Sequence, residues 1–193
     1  MMKRYNKEKV VVLNTFQLYR KNRLDFLIES FDKAQKEGYI LGAKLVRGAY
    51  LEKETNYAAQ FNIPSPIHDT KQATDNDYNT ALQFCVDNYT KLAAVAATHN
   101  KESCLLLTQL MDKKNIDKNH PNLSFCQLYG MGDNISFNLA AAGYTVSKYM
   151  VYGPVKEVMP FLIRRAEENS AIAGELGREH QLIRKELKRR GLI

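Results

Sequence analysis

The chain reads as a parallel α/β protein. Short apolar or β-branched runs alternate five times with segments of helical periodicity. Polar and aromatic residues then collect where those runs end: Asn14 and Gln17, Arg47 and Tyr50, His99 and Asn100, Gln127 and Tyr129, and Tyr152. A doubly wound sheet and a (β/α)8 barrel both satisfy that order, and both bind ligands at the carboxyl ends of their strands. No GxGxxG follows the first strand, which removes the best signal for a dinucleotide-binding sheet. A site drawn from every strand favours the barrel, although five strands cannot close one.

The first strand is expected within 9–17, KVVVLNTFQ, which is rich in β-branched and apolar residues. Next, 23–36 places Leu24, Phe26, Leu27, Phe31 and Ala34 at helical spacing, with Gly38 close to the stop. GAKLVRGAY, 42–50, is a short strand running into a glycine turn. A helix over 52–61, a loop holding Pro64 and Pro66, and a helix over 70–88 follow. LAAVAAT, 92–98, is apolar nearly throughout, as in a strand covered on both faces. Then come a helix over 101–114, a strand over 123–129, a helix over 133–142 and a strand over 146–152. A turn at Gly153-Pro154 leads into a helix carrying Arg164 and Arg165 side by side. No Gly/Ser linker or low-complexity tract divides the chain, so 1–193 is read as a single domain with a basic helical extension over 170–193.

A chain of 193 residues, 45% hydrophobic and 25% charged, has enough material for a buried core. No apolar run approaches the roughly eighteen residues of a membrane span, and the opening lacks the apolar stretch of a secretion signal. Cys85, Cys104 and Cys126 are odd in number and without metal spacing, which suits buried thiols in a reducing compartment. The expected location is cytoplasmic, with contact at the inner face of a membrane peripheral at most. Much of the net charge of +7 lies in ELGREHQLIRKELKRRGLI, 175–193. That run has no interleaved aromatics, so a solvated closing helix is favoured over a nucleic-acid surface.

Arg164 and Arg165 repel one another, and a helix that keeps both is read as offering them to an anion, because the guanidinium fork meets a carboxylate or phosphate with two parallel hydrogen bonds. Lys44 and Arg47 stand three apart on one strand and so face opposite sides; the turn at Gly48 and Ala49 would have to redirect one for both to reach a single pocket. The two small residues also let a flat or phosphorylated ligand approach the backbone. His99, between Thr98 and Asn100, is open to four roles: general base, metal ligand, hydrogen-bond donor to a cofactor, or a histidine satisfied by a neighbour. His68, His120 and His180 offer no ligand-like spacing, so no metal is expected.

LNTFQLYR (13–20), KLVRGAYLEKE (44–54), ATHN (97–100), CQLYGMGD (126–133) and GYTVSKYMVYGPVKEVMPFLIRRAEEN (143–169) together resemble the proline dehydrogenase family, in its mitochondrial-type and single-function bacterial branch. The resemblance covers nearly the whole chain, and RRxxEN after Tyr152-Gly153-Pro154 is its most specific part. It implies a distorted (β/α)8 TIM-like barrel of which this chain supplies the carboxyl-terminal five βα units, strands 4–8. It further implies bound FAD, oxidation of L-proline to Δ1-pyrroline-5-carboxylate, and a quinone electron acceptor. By the resemblance Arg164 and Arg165 grip the proline carboxylate, while Tyr152, Leu128 and Tyr50 shape the pocket. Asn14, Lys44, Val46, Arg47, Gly48 and Ala49 hold the flavin and its phosphates; Thr98, His99, Asn100, Gln127 and Glu168 continue the cofactor site. Asn14 and Lys44 stand where many relatives have Gln and Arg. The family's amino-terminal region and first three strands are expected to be supplied by another chain or segment. The alternatives are an inactive barrel fragment that binds a partner and, more distantly, a basic nucleic-acid-binding domain.

Overall fold

In a computed structural model, residues 1–171 and 173–192 are described, with side chains placed for 1–163 and 181–192. Strands Asn14–Gln17 (β1), Leu41–Val46 (β2), Leu92–Ala97 (β3), Leu123–Leu128 (β4) and Val146–Tyr149 (β5) form one sheet. Its order is β1-β2-β3-β4-β5 and each neighbouring pair is parallel. A doubly wound sheet reverses its strand order at a switch point; this one never does, which is the order of a barrel wall. The helices are Met2–Tyr5 (α1), Arg23–Glu37 (α2), Leu51–Gln60 (α3), Lys71–Asp87 (α4), Lys101–Lys113 (α5), Asp133–Ala141 (α6), Val155–Ala171 (α7) and Ala173–Arg189 (α8).

The expected elements reappear in order, with the strands shortened, most at 9–17, 42–50 and 146–152, and α1 added. The first strand begins at Asn14, and Asn6 explains why. Its fully buried side chain accepts from the Val11 and Val12 amides and donates to the Val12 and Ile40 carbonyls. Those backbone groups are spent on Asn6 and leave none for a ladder. The same segment passes so close to β2 that a Cβ on Gly42 would lie 2.2 Å from the Val12 carbonyl oxygen. The last strand stops at Tyr149, short of the expected Tyr152.

The chain forms two compact units, Met1–Tyr149 and Met150–Ile193. The first holds the sheet. Strand alternation sends Phe16, Ala43, Leu45, Ala94, Ala96, Leu123 and Phe125 to one face, where they pack with Leu27 and Ala34 of α2, Tyr78, Leu82 and Cys85 of α4, and Leu107 and Met111 of α5. Capping fixes two of those helices. Thr70 accepts from the Ala73 amide at the start of α4, and Asn100 accepts from the Ser103 amide at the start of α5.

The opposite face carries Thr15, Lys44, Val46, Val95, Ala97, Ser124 and Leu128, all half-buried or exposed. So β3, expected to be covered on both sides, is covered on the helix side and left partly open on the other. That open face is concave. The Lys44 ammonium lies 4.5 Å from the centre of the Tyr149 ring, although β2 and β5 are three strands apart, roughly 14 Å on a flat sheet. Side chains standing off a flat sheet would keep that separation.

The second unit consists of α7 and α8 with their connections. Helix α7 contains Pro160, past its first turn, and shows the exposed apolar residues Met159, Leu162 and Ile163. At the end of α8, Glu186 pairs with Arg189 and Arg190. Among the described residues no helix is long and apolar enough to cross a membrane.

Candidate functional site

The carboxyl ends of β1 to β4 meet around the concave face, and β2 brings the first cation there. Lys44 shares the row of Val46 and points into the hollow toward Tyr149. Arg47 goes the other way, as strand alternation requires. Its Nε donates to Asp75 at 2.6 Å, Nη1 to the Thr98 hydroxyl at 2.7 Å and Nη2 to the Ser103 hydroxyl at 3.0 Å. The guanidinium carbon sits 4.4 Å from the centre of the Tyr78 ring. Burial alone would raise the Asp75 carboxyl, but hydrogen bonds from Lys71 and Arg47, with their charges, outweigh it and hold the carboxyl below its ordinary range.

Gly48 and Ala49 follow as a turn. Gly48 has φ +138°, and a Cβ there would stand 2.0 Å from the Tyr19 ring, so only glycine fits. Among the described residues, the amides of Gly48 and Ala49 make no backbone hydrogen bond. Tyr19 in turn is held by its hydroxyl, which donates to Glu54, and Glu54 also pairs with Arg20 at 2.8 Å. Burial first, then Glu54, push the Tyr19 hydroxyl far above its ordinary value, so it stays a donor. Tyr50 begins α3, is exposed, and lines an open groove of about 600 Å³ with Arg20, Lys53, Tyr57 and Pro64. Val46, Thr98 and Leu128 do not line that groove.

At the end of β3, Thr98 is buried and its hydroxyl accepts from both Arg47 and the Asn100 amide. His99 Nε2 accepts from the Leu128 amide at 3.4 Å, joining the ends of β3 and β4. A Cβ on Gly132 would meet His99 Nδ1 at 2.7 Å, so the glycine makes room for the ring. Leu128 pairs in register with Tyr149 and shares the concave face. Gln127 is turned toward the helices: its amide donates to the Thr98 carbonyl and its oxygen accepts from Ser136 of α6. Lys148 also serves this corner, pairing with Asp133 at 2.6 Å and donating to the Met131 carbonyl.

On β1 the register sets Asn14 beside Ala43, on the face of Phe16, and Gln17 beside Val46, on the concave face. Gln17 Oε1 is buried and has no hydrogen-bond partner among the described residues. A buried amide oxygen left in this state is costly unless a ligand or water satisfies it. Sequence reading placed Gln17 at the strand end but gave it no role; the pairing register singles it out. Tyr149, Asp75 and Ser103 were likewise without a role, and long-range contacts bring them to these strand ends. In the second unit, Tyr152 lies just before α7 and is fully exposed. Arg164, Arg165 and Glu168 fall within α7, and their side chains lie outside the described residues.

The residues present fit a flat ring bearing an anionic group. Val46, Val95, Ala97 and Leu128 offer an apolar wall; Lys44, the Gly48 and Ala49 amides, and Gln17 offer cation, donors and acceptor at its rim.

The model of the proline dehydrogenase family matches residues 1–178. The chain belongs to that family. A proline dehydrogenase 1, mitochondrial, of Caenorhabditis elegans is 40% identical over 98% of this chain and 32% of its own length. A hydroxyproline dehydrogenase of Xenopus laevis is 39% identical over 98% of this chain and 42% of its own. Proline utilization A from Bdellovibrio bacteriovorus, solved after inactivation by N-propargylglycine, superposes with a TM-score of 0.77 at 28% identity. That match covers 82% of this chain and 16% of the other. The family fold is a TIM-like barrel, and the five parallel strands are an open part of such a wall. The chain spans about a third to two fifths of the length of the curated relatives it matches. Its family leaves the nucleic-acid alternative without support.

Proposed function

We propose that this chain provides the carboxyl-terminal five βα units of an FAD-dependent proline dehydrogenase, which oxidises L-proline to Δ1-pyrroline-5-carboxylate. The observation that carries the proposal is the concave strand-end face, with a cation, two amides engaged in no backbone hydrogen bond and an unsatisfied buried acceptor gathered at one rim. When bound, FAD would supply the acceptor for the hydride leaving proline C5. The protein's part is position and charge. Val46, Ala97 and Leu128 would wall the isoalloxazine, and Gln17, rather than Asn14, would meet a ring N–H with its orphaned oxygen. Lys44 and the amides of Gly48 and Ala49 would face the phosphates. Thr98, His99, Asn100 and Gln127 would act one layer out, holding strand ends and caps.

Arg164 and Arg165 would bind the proline carboxylate as a fork, with Tyr152, Tyr50 and Leu128 around the ring and Glu168 beside the cofactor. The proline amine must be neutral to release hydride, so proton loss precedes the transfer. Electrons would pass onward to a quinone at the inner face of a membrane, touched peripherally. The first three strands of the barrel would come from a further segment or chain.

The test is spectroscopic. The chain is purified alone and together with the amino-terminal βα units of a proline dehydrogenase, and flavin absorption is followed as proline is added. Bound flavin that proline bleaches in the complemented protein is the expected result. A colourless protein in both states overturns the proposal.

A further inference from the structure

Segments 47–49 and 98–100 are assigned to one ligand, yet strand alternation turns the Arg47 guanidinium away from it, and a set of partners on α4, at the end of β3 and on α5 holds it there. Asp75, side chain 17% exposed on α4, receives Arg47 Nε at 2.6 Å and Lys71 Nζ at 2.6 Å on its two oxygens. The remaining guanidinium nitrogens reach Thr98 and Ser103. Ser103 is almost fully buried, donates to the Asn79 side chain at 2.7 Å, and sends its amide to Asn100 at 2.8 Å. One network therefore ties the end of β2 to α4, to the end of β3 and to the capped start of α5.

We propose that Asp75 is a positioning residue for the flavin. It holds Arg47 toward α4 and α5, so that the 47–49 turn meets the phosphates through its peptide N–H groups and not through the guanidinium. Backbone donors held in this way bind an anion without a flexible side chain to order. The inference rests on the reading of the strand ends as an FAD site. Geometry favours Asp75 over other acids because, among the described residues, it alone faces Arg47 Nε and is itself fixed from its second oxygen by Lys71.

Asp75→Asn keeps the shape and removes the charge that orients the guanidinium. The 193-residue chain is titrated with FAD and, separately, with riboflavin, which lacks phosphate; quenching of flavin fluorescence reports binding. FAD affinity is expected to fall about tenfold or more in the variant, the size of one lost charge-assisted hydrogen bond, while riboflavin affinity stays within about twofold. Asp75→Glu should recover part of the loss. Equal weakening of both ligands would mark Asp75 as a general structural residue, and unchanged FAD affinity would remove its role; either result overturns the inference and leaves the cofactor reading standing. A wild-type chain that binds neither ligand, both alone and complemented with the amino-terminal βα units, overturns both. If Asp75→Asn loses its circular-dichroism signal, Ser103→Ala takes its place. An FAD-specific loss of about threefold in that variant supports the inference, and no FAD-specific loss rejects it.

Discussion

At position 48 the backbone carries φ +138° and the Tyr19 ring fills the space a side chain would need. Gly48→Ala should therefore cost at least about 2 kcal/mol, from strain and overpacking together. Urea denaturation of variant and parent would measure it, and a difference below the error of the fit would mean the turn relaxes freely. The substrate clamp makes a different prediction. Arg165→Lys keeps the charge but not the planar fork. In the complemented enzyme the KM for proline should rise about tenfold, with the melting temperature unchanged. An unchanged KM would remove Arg165 from the carboxylate site. Residue spacing alone gave Lys44 and Arg47 opposite directions, because alternation along a strand is local. It said nothing of Asp75, which lies 28 residues from Arg47 along the chain and reaches it only through packing of α4 on the sheet.

Among the elements, α5 couples stability to the site. Asn100 caps it through the Ser103 amide, while its own amide donates to Thr98. Asparagine and aspartate cap about equally well, whereas alanine loses about 1 kcal/mol. Asn100→Asp should thus keep the melting temperature and still weaken FAD binding, since it adds a negative charge beside an anionic ligand. Asn100→Ala should lower the melting temperature. If Asn100→Asp leaves FAD affinity intact, the residue is a cap and nothing more. Helical periodicity placed α2, α4 and α5 to within a few residues. The strand ends were less legible: β1 shrank because Asn6 takes up the Val11 and Val12 backbone groups, an interaction that no local pattern announces.

For the molecule as a whole, the sheet ends in edges at β1 and β5, and its concave face keeps Val46, Val95 and Leu128 only partly covered. A closed barrel has no edges and fills or covers such a face. Adding the amino-terminal βα units of a proline dehydrogenase should tighten FAD binding about tenfold or more and confer proline oxidation. Its rate should rise from pH 6 to 9 as the substrate amine loses its proton. A flat profile, or full activity from the chain alone, would contradict this picture. The sequence by itself determined the β-α order, the parallel class and the family, because periodicity, turn residues and contiguous motifs are all local in the chain. Only the tertiary structure decided the sequential strand order, the concave face, the inward turn of Gln17 and the outward turn of Arg47. Those depend on register and on partners far apart in sequence, fixed when helices and sheet pack together.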